Sequence, residues 1–498
     1  MSQIEKPIKI SKQLRLRVQE FLMCRNEPDK LQEIVHYFDN GADQLSCLLS
    51  LELIFTNMLK DRDMFIEIIP LKPVENTPEN QYKQWLKFMY GEIYAKILST
   101  MENGSHKLQT QGLSTAMNLL SYEGKYPLET KEFLDNYVPL SKLKSILMKL
   151  LSNKQNNHHL INKYTEYLLF DDILFFTWKI LPSLTAKSNP NEIYILNYLS
   201  LLEKLQVHQN VETKILCGEE NANFFTFDET VTVKCLNKIW HCVMHWEHSI
   251  QTHKQMLILL LEKIMTHLEK PLLLTDFLMD SLDVGGPISL LALQGIFTMI
   301  QVHNLDYPNI FTKLYSMFEP EIFHTKYKAR LFYLSDLFLS STHLPENLVA
   351  AFAKRMARLA LIAPSEDIII ICHFIGNLIL RHPGMKCLLN NVEHDTANTD
   401  PYIMEERDPT KSNAINSSLW EIKTLQNHVL PSVSTAAKFI NTPLPSVEWD
   451  LSKVLDKTGD DMFDKEVKKF SKLIVLQFEK PNGASIGRGE RILQFWEL

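Results

Sequence analysis

Apolar residues recur at spacings of three and four along nearly the whole sequence, and almost no segment alternates with period two. A stripe at i, i+3, i+4 and i+7 is what a 3.6-residue turn needs to give a helix one buried face. Leu45, Leu48, Leu49, Leu53, Phe55 and Leu59 mark one such helix, and residues 82–101 another, with Trp85, Phe88, Met89, Ile93 and Ile97 on one side. Leu143, Ile146, Leu147 and Leu150 repeat the pattern, as do Leu168, Leu169, Leu174, Phe175 and Trp178. Glycine, which weakens helix interiors, is scarce, with 15 in 498 residues. The breaks are short and polar: Ser188-Asn189-Pro190, Gly218 to Asn223, Gly285-Gly286-Pro287 and His382-Pro383-Gly384. One exception to the helical pattern is LIVLQF at 473–478, which reads as a short strand near the C-terminus.

Between 286 and 381 the predicted helices pair: 286–302 with 307–318, 321–340 with 345–362, then 366–381. Successive pairs start about 35 to 45 residues apart, the period of HEAT-like repeats, in which each pair buries its apolar face only by stacking on neighbours. The expected fold is therefore all-α, a HEAT-like helical repeat (α-solenoid). A globular helical bundle is the alternative, because no sharp sequence repeat is visible. The organisation divides into an N-terminal helical region at 1–230, a helical core at 231–440, and a proline-containing linker and tail at 441–498. Residues 391–412 read as a polar, acidic linker.

Charge and cysteine usage narrow the function. A net charge of −7 excludes a chain that grips nucleic acid over its whole surface, so any RNA contact is local. The seven cysteines form no C-x-x-C, which argues against a zinc ribbon or a disulfide framework and suits a reducing compartment. The segment MSQIEKPIKISKQ carries charge where a signal peptide has an apolar run. On that reading the sequons at Asn103 and Asn416 are chance matches. Residues 284–305 hold no charge and approach membrane-spanning length. Their Gly285, Gly286, Pro287, Gln294, Gln301, His303 and Asn304 fit a buried helix better.

Residues 321–364 read EIFHTKYKARLFYLSDLFLSSTHLPENLVAAFAKRMARLALIAP, followed by CHFIGNLILRHPGMKCLL at 372–389 and DPTKSNAINSSLWEIKTLQNHVLPSVSTAAKFI at 408–440. In that order they resemble the nucleolar complex protein four family, within the CBF/Mak group of nucleolar proteins. The resemblance runs from about Gly286 to Ile440. It implies a helical repeat fold, a nucleolar and nuclear location, and a non-enzymatic scaffold role in small ribosomal subunit biogenesis. It also implies a stable complex with a nucleolar protein fourteen family member, further pre-ribosomal particle proteins as partners, and direct pre-rRNA contact as an open question. It brings no catalytic residues and no cofactor. Two rival readings are a nuclear-envelope membrane protein using 284–305 and a nuclear DNA-binding regulator. The second lacks helix-turn-helix or zinc-finger spacing and any long basic region.

Two basic groups stand out as candidate RNA or partner contacts: Lys326, Lys328 and Arg330 on one predicted helix, and Lys354, Arg355 and Arg358 on the next. On the second helix Phe352, Met356, Leu359 and Ala363 form the apolar stripe, so the three cations should lie largely outside it. A solvated face paired with acidic neighbours and a phosphate-binding face both fit that wheel. Trp420 falls off the stripe of Ile415, Leu419, Ile422 and Val429, which makes it a candidate partner anchor beside an ordinary packing role.

His241, His245 and His248 share a face with Cys242 beside them, but the zincin glutamate is missing and no second ligand cluster follows, so no metal is expected. Gly483-Ala484-Ser485-Ile486-Gly487 matches a nucleophile elbow in form only, because no histidine follows it.

Overall fold

The computed structural model describes residues 12–25, 28–39, 43–66, 77–129, 137–209, 214–218, 225–304, 307, 309–389 and 400–473. Helix starts follow the side-chain chemistry that satisfies unpaired N–H groups. Thr77 accepts from the Asn80 amide with Pro78 in the first turn, Asp228 accepts from Thr230, and Ser249 from Thr252.

The chain divides at 303/304 into two compact units. In the first, α1 is Lys12–Met23, α2 Pro28–Asp39, α3 Gln44–Lys60, α4 Pro78–Asn103, α5 His106–Lys125, α6 Leu140–Leu150, α7 His158–Tyr164, α8 Asp171–Leu184 and α9 Glu192–Lys204. They are followed by α10 Glu229–Val243, α11 Ile250–Leu259, α12 Thr275–Asp283 and α13 Gly286–His303. The packing is a double ladder. One layer stacks α1 on α3, α3 on α5, and so on through α7, α9 and α11 to α13. The other stacks α4 on α6, α6 on α8 and α8 on α10. This is the α-solenoid expected from the sequence, with every described element helical or irregular and no strand among the described residues. The helices of one layer begin at residues 12, 44, 106, 158, 192, 250 and 286, intervals too unequal to show as a sequence repeat.

Buried polar side chains fix the turns between rungs. Asn197 on α9 is fully buried; its amide donates to the carbonyls of Ser152 and Gln155 at 2.9 Å, and its carbonyl accepts from the Asn157 amide at 2.8 Å. Asp172 likewise accepts from the backbone of Leu216 and Cys217, holding that segment against α8.

The first ladder runs past the expected boundary at 230/231, because α10 packs on α8 and α11 on α9. Within the apolar stretch at 284–305, Gly286–His303 form α13, whose Ile288, Leu290, Leu293, Ile296 and Met299 are buried in packing with α11 and α12. Among the described residues no helix is long and apolar enough to cross a membrane. The stripe on α6 is as expected, with all four leucine and isoleucine side chains fully buried. Elsewhere the wheel is rotated. Phe88, Leu53 and Leu169 are exposed, while α4 buries Leu86, Tyr90 and Tyr94 along with Ile93 and Ile97. Rungs on both sides bury more of the helix than one stripe, so a single-face reading misplaces the edges.

The second unit holds α14 Ile310–Ser316, α15 Lys328–Phe338, α16 Glu346–Ala360, α17 Ser365–Arg381, α18 Trp420–Leu425, α19 Pro431–Ala437, α20 Ser452–Leu455 and α21 Gly459–Leu473. α16 packs on α17 and α18, α17 on α19, and short 3-10 turns at 383–388, 409–411 and 414–416 close around α16. Tyr315, Phe318, Phe332, Phe352 and Phe374 interlock as edge-on and tilted rings at this unit's core.

Two segments expected as linkers are folded. The described part of the acidic segment, 400–412, closes through an Ile403 to Ser412 backbone bond at 3.0 Å and buries Tyr402 and Ser412. Past 440, Asn377 pairs with both backbone groups of Trp449 at 2.8 and 2.9 Å, and Arg381 bridges Asp336 and Glu448. The Trp449 ring stacks on His373 and lies over Gly376. Leu473 ends α21, and the rest of the expected strand, with the 483–487 motif, lies outside the described residues.

Candidate functional site

α16 begins after Pro345 and carries a stripe that includes Phe352, Met356 and Leu359, each at most 1% exposed. Because α17, α18 and the 409–416 turns also cover it, burial extends well beyond that stripe. Lys354 was expected outside the buried face; it is 0% exposed. A buried ammonium needs charged and polar partners on all three protons, and they are present. Its Nζ straddles the Glu421 carboxylate at 2.7 and 2.9 Å, lies 2.9 Å from Asp400 Oδ2, and donates to the Ser418 carbonyl at 2.6 Å.

Arg358, one turn on, completes the group. Its Nη2 donates to Asp400 Oδ2 at 2.6 Å, and its Nε lies 2.8 Å from Glu421. Trp420 lies over both cations, with the Arg358 guanidinium 4.7 Å and the Lys354 ammonium 5.4 Å from its centroid, and donates from Nε1 to Asp400 at 2.8 Å. Ser417 donates to the other Asp400 oxygen. Two cations thus meet two carboxylates, and the cluster is formally neutral. Burial raises a carboxyl, but at Asp400 the hydrogen bonds from Ser417, Lys354 and Trp420 outweigh it and hold the group well below the usual carboxylate range. At Glu421 burial wins and pushes the carboxyl up, against the pull of Lys354.

Arg355 faces another way. It donates to the carbonyls of Phe318 at 2.8 Å and Met404 at 3.1 Å, and lies over the Tyr315 ring at 4.6 Å. The Tyr315 hydroxyl meets that of Tyr402 at 2.7 Å. A polar groove of about 370 Å³ opens here between Arg355, Glu319, Glu405 and Arg407.

Of the first basic group, Lys328 is held by Asp367 at 3.0 Å and Glu366 at 3.3 Å, while Lys326 and Arg330 are exposed. The structure therefore joins Lys354, Arg358 and Trp420 into one group with Asp400, Ser417 and Glu421, and does not bring the six cations together as a basic surface. Burial removes Lys354 from any surface. Asp400 and Glu421 are the residues the sequence reading missed. Asp400 lies in the acidic segment at 391–412 and Glu421 next to Trp420 in the 408–440 phrase, and nothing in their spacing pairs them with α16.

Among the described residues no three His, Cys, Asp or Glu side chains converge as metal ligands. The rings of His245 and His248 instead hydrogen-bond the carbonyls of His241 and Val243 within their own turn.

Residues 289–437 match the CBF/Mak21 family, and residues 12–189 match nucleolar complex protein 4-like TPR repeats, helix pairs of the kind stacked in the first unit. The chain is 36% identical over 482 residues to nucleolar complex protein 4 homolog A of Xenopus laevis, covering 93% of this chain and 91% of that one. It is 33% identical to the Gallus gallus homolog over 472 residues, covering 92% and 93%, and 30% identical to the Homo sapiens homolog over 506 residues, covering 98% of each. The chain belongs to the nucleolar complex protein 4 family, and the nucleolus is its compartment.

Proposed function

We propose that this chain is a non-enzymatic scaffold that joins a nucleolar protein fourteen family partner to the precursor of the small ribosomal subunit. A nucleolar role in ribosome biogenesis comes with the family. The finer reading has pre-rRNA processing and maturation or export of the small-subunit precursor as its outcome, and its scaffold part is supported by how the second unit uses its charges. Within the CBF/Mak21 segment, Lys354, Arg358, Asp400 and Glu421 clamp an irregular segment onto α16. That observation carries the proposal: side chains that elsewhere make reactive centres here fix architecture. A stacked-helix array then holds distant surfaces at set spacings. Contact with RNA or acidic protein falls to Lys326, Arg330, Arg358 and Trp420, which retain exposure, with Lys328, Lys354 and Arg355 positioning the surface from behind.

The test is affinity purification of the tagged chain from nucleolar extract, with sequencing of the bound RNA and identification of the bound proteins. Small-subunit precursor RNA and a nucleolar protein fourteen family member should be enriched together. Enrichment of large-subunit precursors alone would overturn the proposal.

A further inference from the structure

α21 carries three apolar side chains that nothing covers among the described residues. Its start is firmly set. Asp461 accepts from the backbone and hydroxyl of Thr458 while its own amide bonds Thr458 Oγ1, a reciprocal cap. Upstream, the Trp449 stack and the buried Leu451 and Val454 fix the approach. Beyond that anchor the helix presents Phe463, Val467 and Phe470, spaced i, i+4 and i+7 on one face, and they are 69%, 47% and 57% exposed. A helix of this length has little stability by itself in water, and three bare side chains in a row along one face mark a binding surface.

The charges around the stripe say what fits it. At 100° per residue, Asp460 and Asp464 lie along one side of the Phe463–Val467–Phe470 line, while on the other Glu466, with its side chain 15% exposed, is ion-paired to Lys469 at 2.7 Å. Lys465, Lys468, Lys469 and Lys472 fall on the opposite side. An apolar strip with an acidic edge is matched by an apolar groove that carries basic residues along its rim. An anionic lipid surface or an RNA backbone laid on the strip would meet Asp460 and Asp464. A second copy packed antiparallel on the same strip would set acidic edge against acidic edge.

We propose that the Phe463–Val467–Phe470 face of α21 docks in an apolar groove rimmed by lysine or arginine on a protein partner. The proposal rests on the scaffold reading above and names the surface through which one partner is held.

The test places a photo-crosslinking phenylalanine analogue at position 463 or 470 of the full-length chain in cells, and at position 468 on the opposite side as control. Crosslinks at 463 and 470, absent at 468, should map to one peptide of another protein whose apolar residues are interspersed with lysine or arginine. Purified full-length chain should then bind a synthetic peptide of that sequence. Phe463→Ala/Val467→Ala/Phe470→Ala, which keeps helix-favouring residues, should weaken that binding by about tenfold or more. Asp460→Lys/Asp464→Lys should weaken it as well. Crosslinks within the chain, to a second copy, to RNA or to lipid would each overturn the proposal, as would equal crosslinking at 468 or unchanged peptide binding by the triple variant. Circular dichroism of the variants checks that helix content is kept. Sedimentation with pre-ribosomal particles separates the two readings: loss of the proposed contact with the unaltered chain still on particles sinks only the docking face, whereas an unaltered chain absent from particles sinks the scaffold.

Discussion

Replacing Lys354 with methionine tests the reading of the buried cluster. The side chain is 0% exposed, as is Glu421, and Asp400 is 14% exposed. Methionine matches the volume of the lysine stem but leaves Glu421 and Asp400 with one cation, Arg358, and strips the Ser418 carbonyl of its donor. Removing one partner of a buried ion pair costs about 3–5 kcal/mol, because the remaining charge stays desolvated. For a unit the size of 304–498, at ~2–4 °C per kcal/mol, the melting transition should fall on the order of 10 °C. Differential scanning calorimetry of the full chain reads this. Adding Glu421→Gln should recover part of the loss, since Asp400 and Arg358 then balance. Loss of less than about 1 kcal/mol in Lys354→Met, or strict additivity in the double variant, would refute the buried cluster and return Lys354 to the solvated face that the helix wheel suggests.

Asp400→Asn isolates the pH dependence of the same group. The Asp400 carboxyl is held below its unfolded value, so its contribution is complete above an unfolded value of about 4 and is lost as pH falls through the folded value. The gap in melting temperature between parent and variant should therefore be widest near neutrality and close in acid; a gap independent of pH would contradict the assignment. Gly376→Ala would put its Cβ 2.5 Å from Trp449 Cζ3, costing about 1–3 kcal/mol. Hydrogen exchange should rise across 448–455 while α16 stays protected, and unchanged exchange there would mean that the tryptophan does not dock on that glycine.

The fold was largely legible because its cause is local. Leu143, Ile146, Leu147 and Leu150 name a buried face from spacing alone, and all four are buried. What spacing could not give was how much of each helix is covered. α4 lies between rungs, so Tyr90 and Tyr94 are buried while Phe88, on the expected stripe, faces solvent. Nor could it show that the 230/231 division falls inside α10, which rests on α8 in the same ladder. The family phrases located the second unit, and within it the wheel separated Phe352, Met356 and Leu359 from the cations. It could not show that Asp400, far along the chain, returns to meet Lys354, because long-range pairing leaves no periodic trace.

That pairing changes what the basic residues contribute. As free charges on a shared face, Lys354, Arg355 and Arg358 would add a salt-sensitive attraction to phosphate, each contact steepening the salt dependence. As placed, two of them neutralise Asp400 and Glu421, and the third is tied to two backbone carbonyls and the Tyr315 ring. Their energy goes into fixing where 400–421 lies, and with it the Trp420 ring and the polar groove beside Arg355. A surface assembled this way recognises by shape, through apolar contact and placed hydrogen bonds, more than by net charge. This is consistent with a chain whose formal charge is −7 in a compartment crowded with RNA, where an unpaired basic face would bind every phosphate backbone alike.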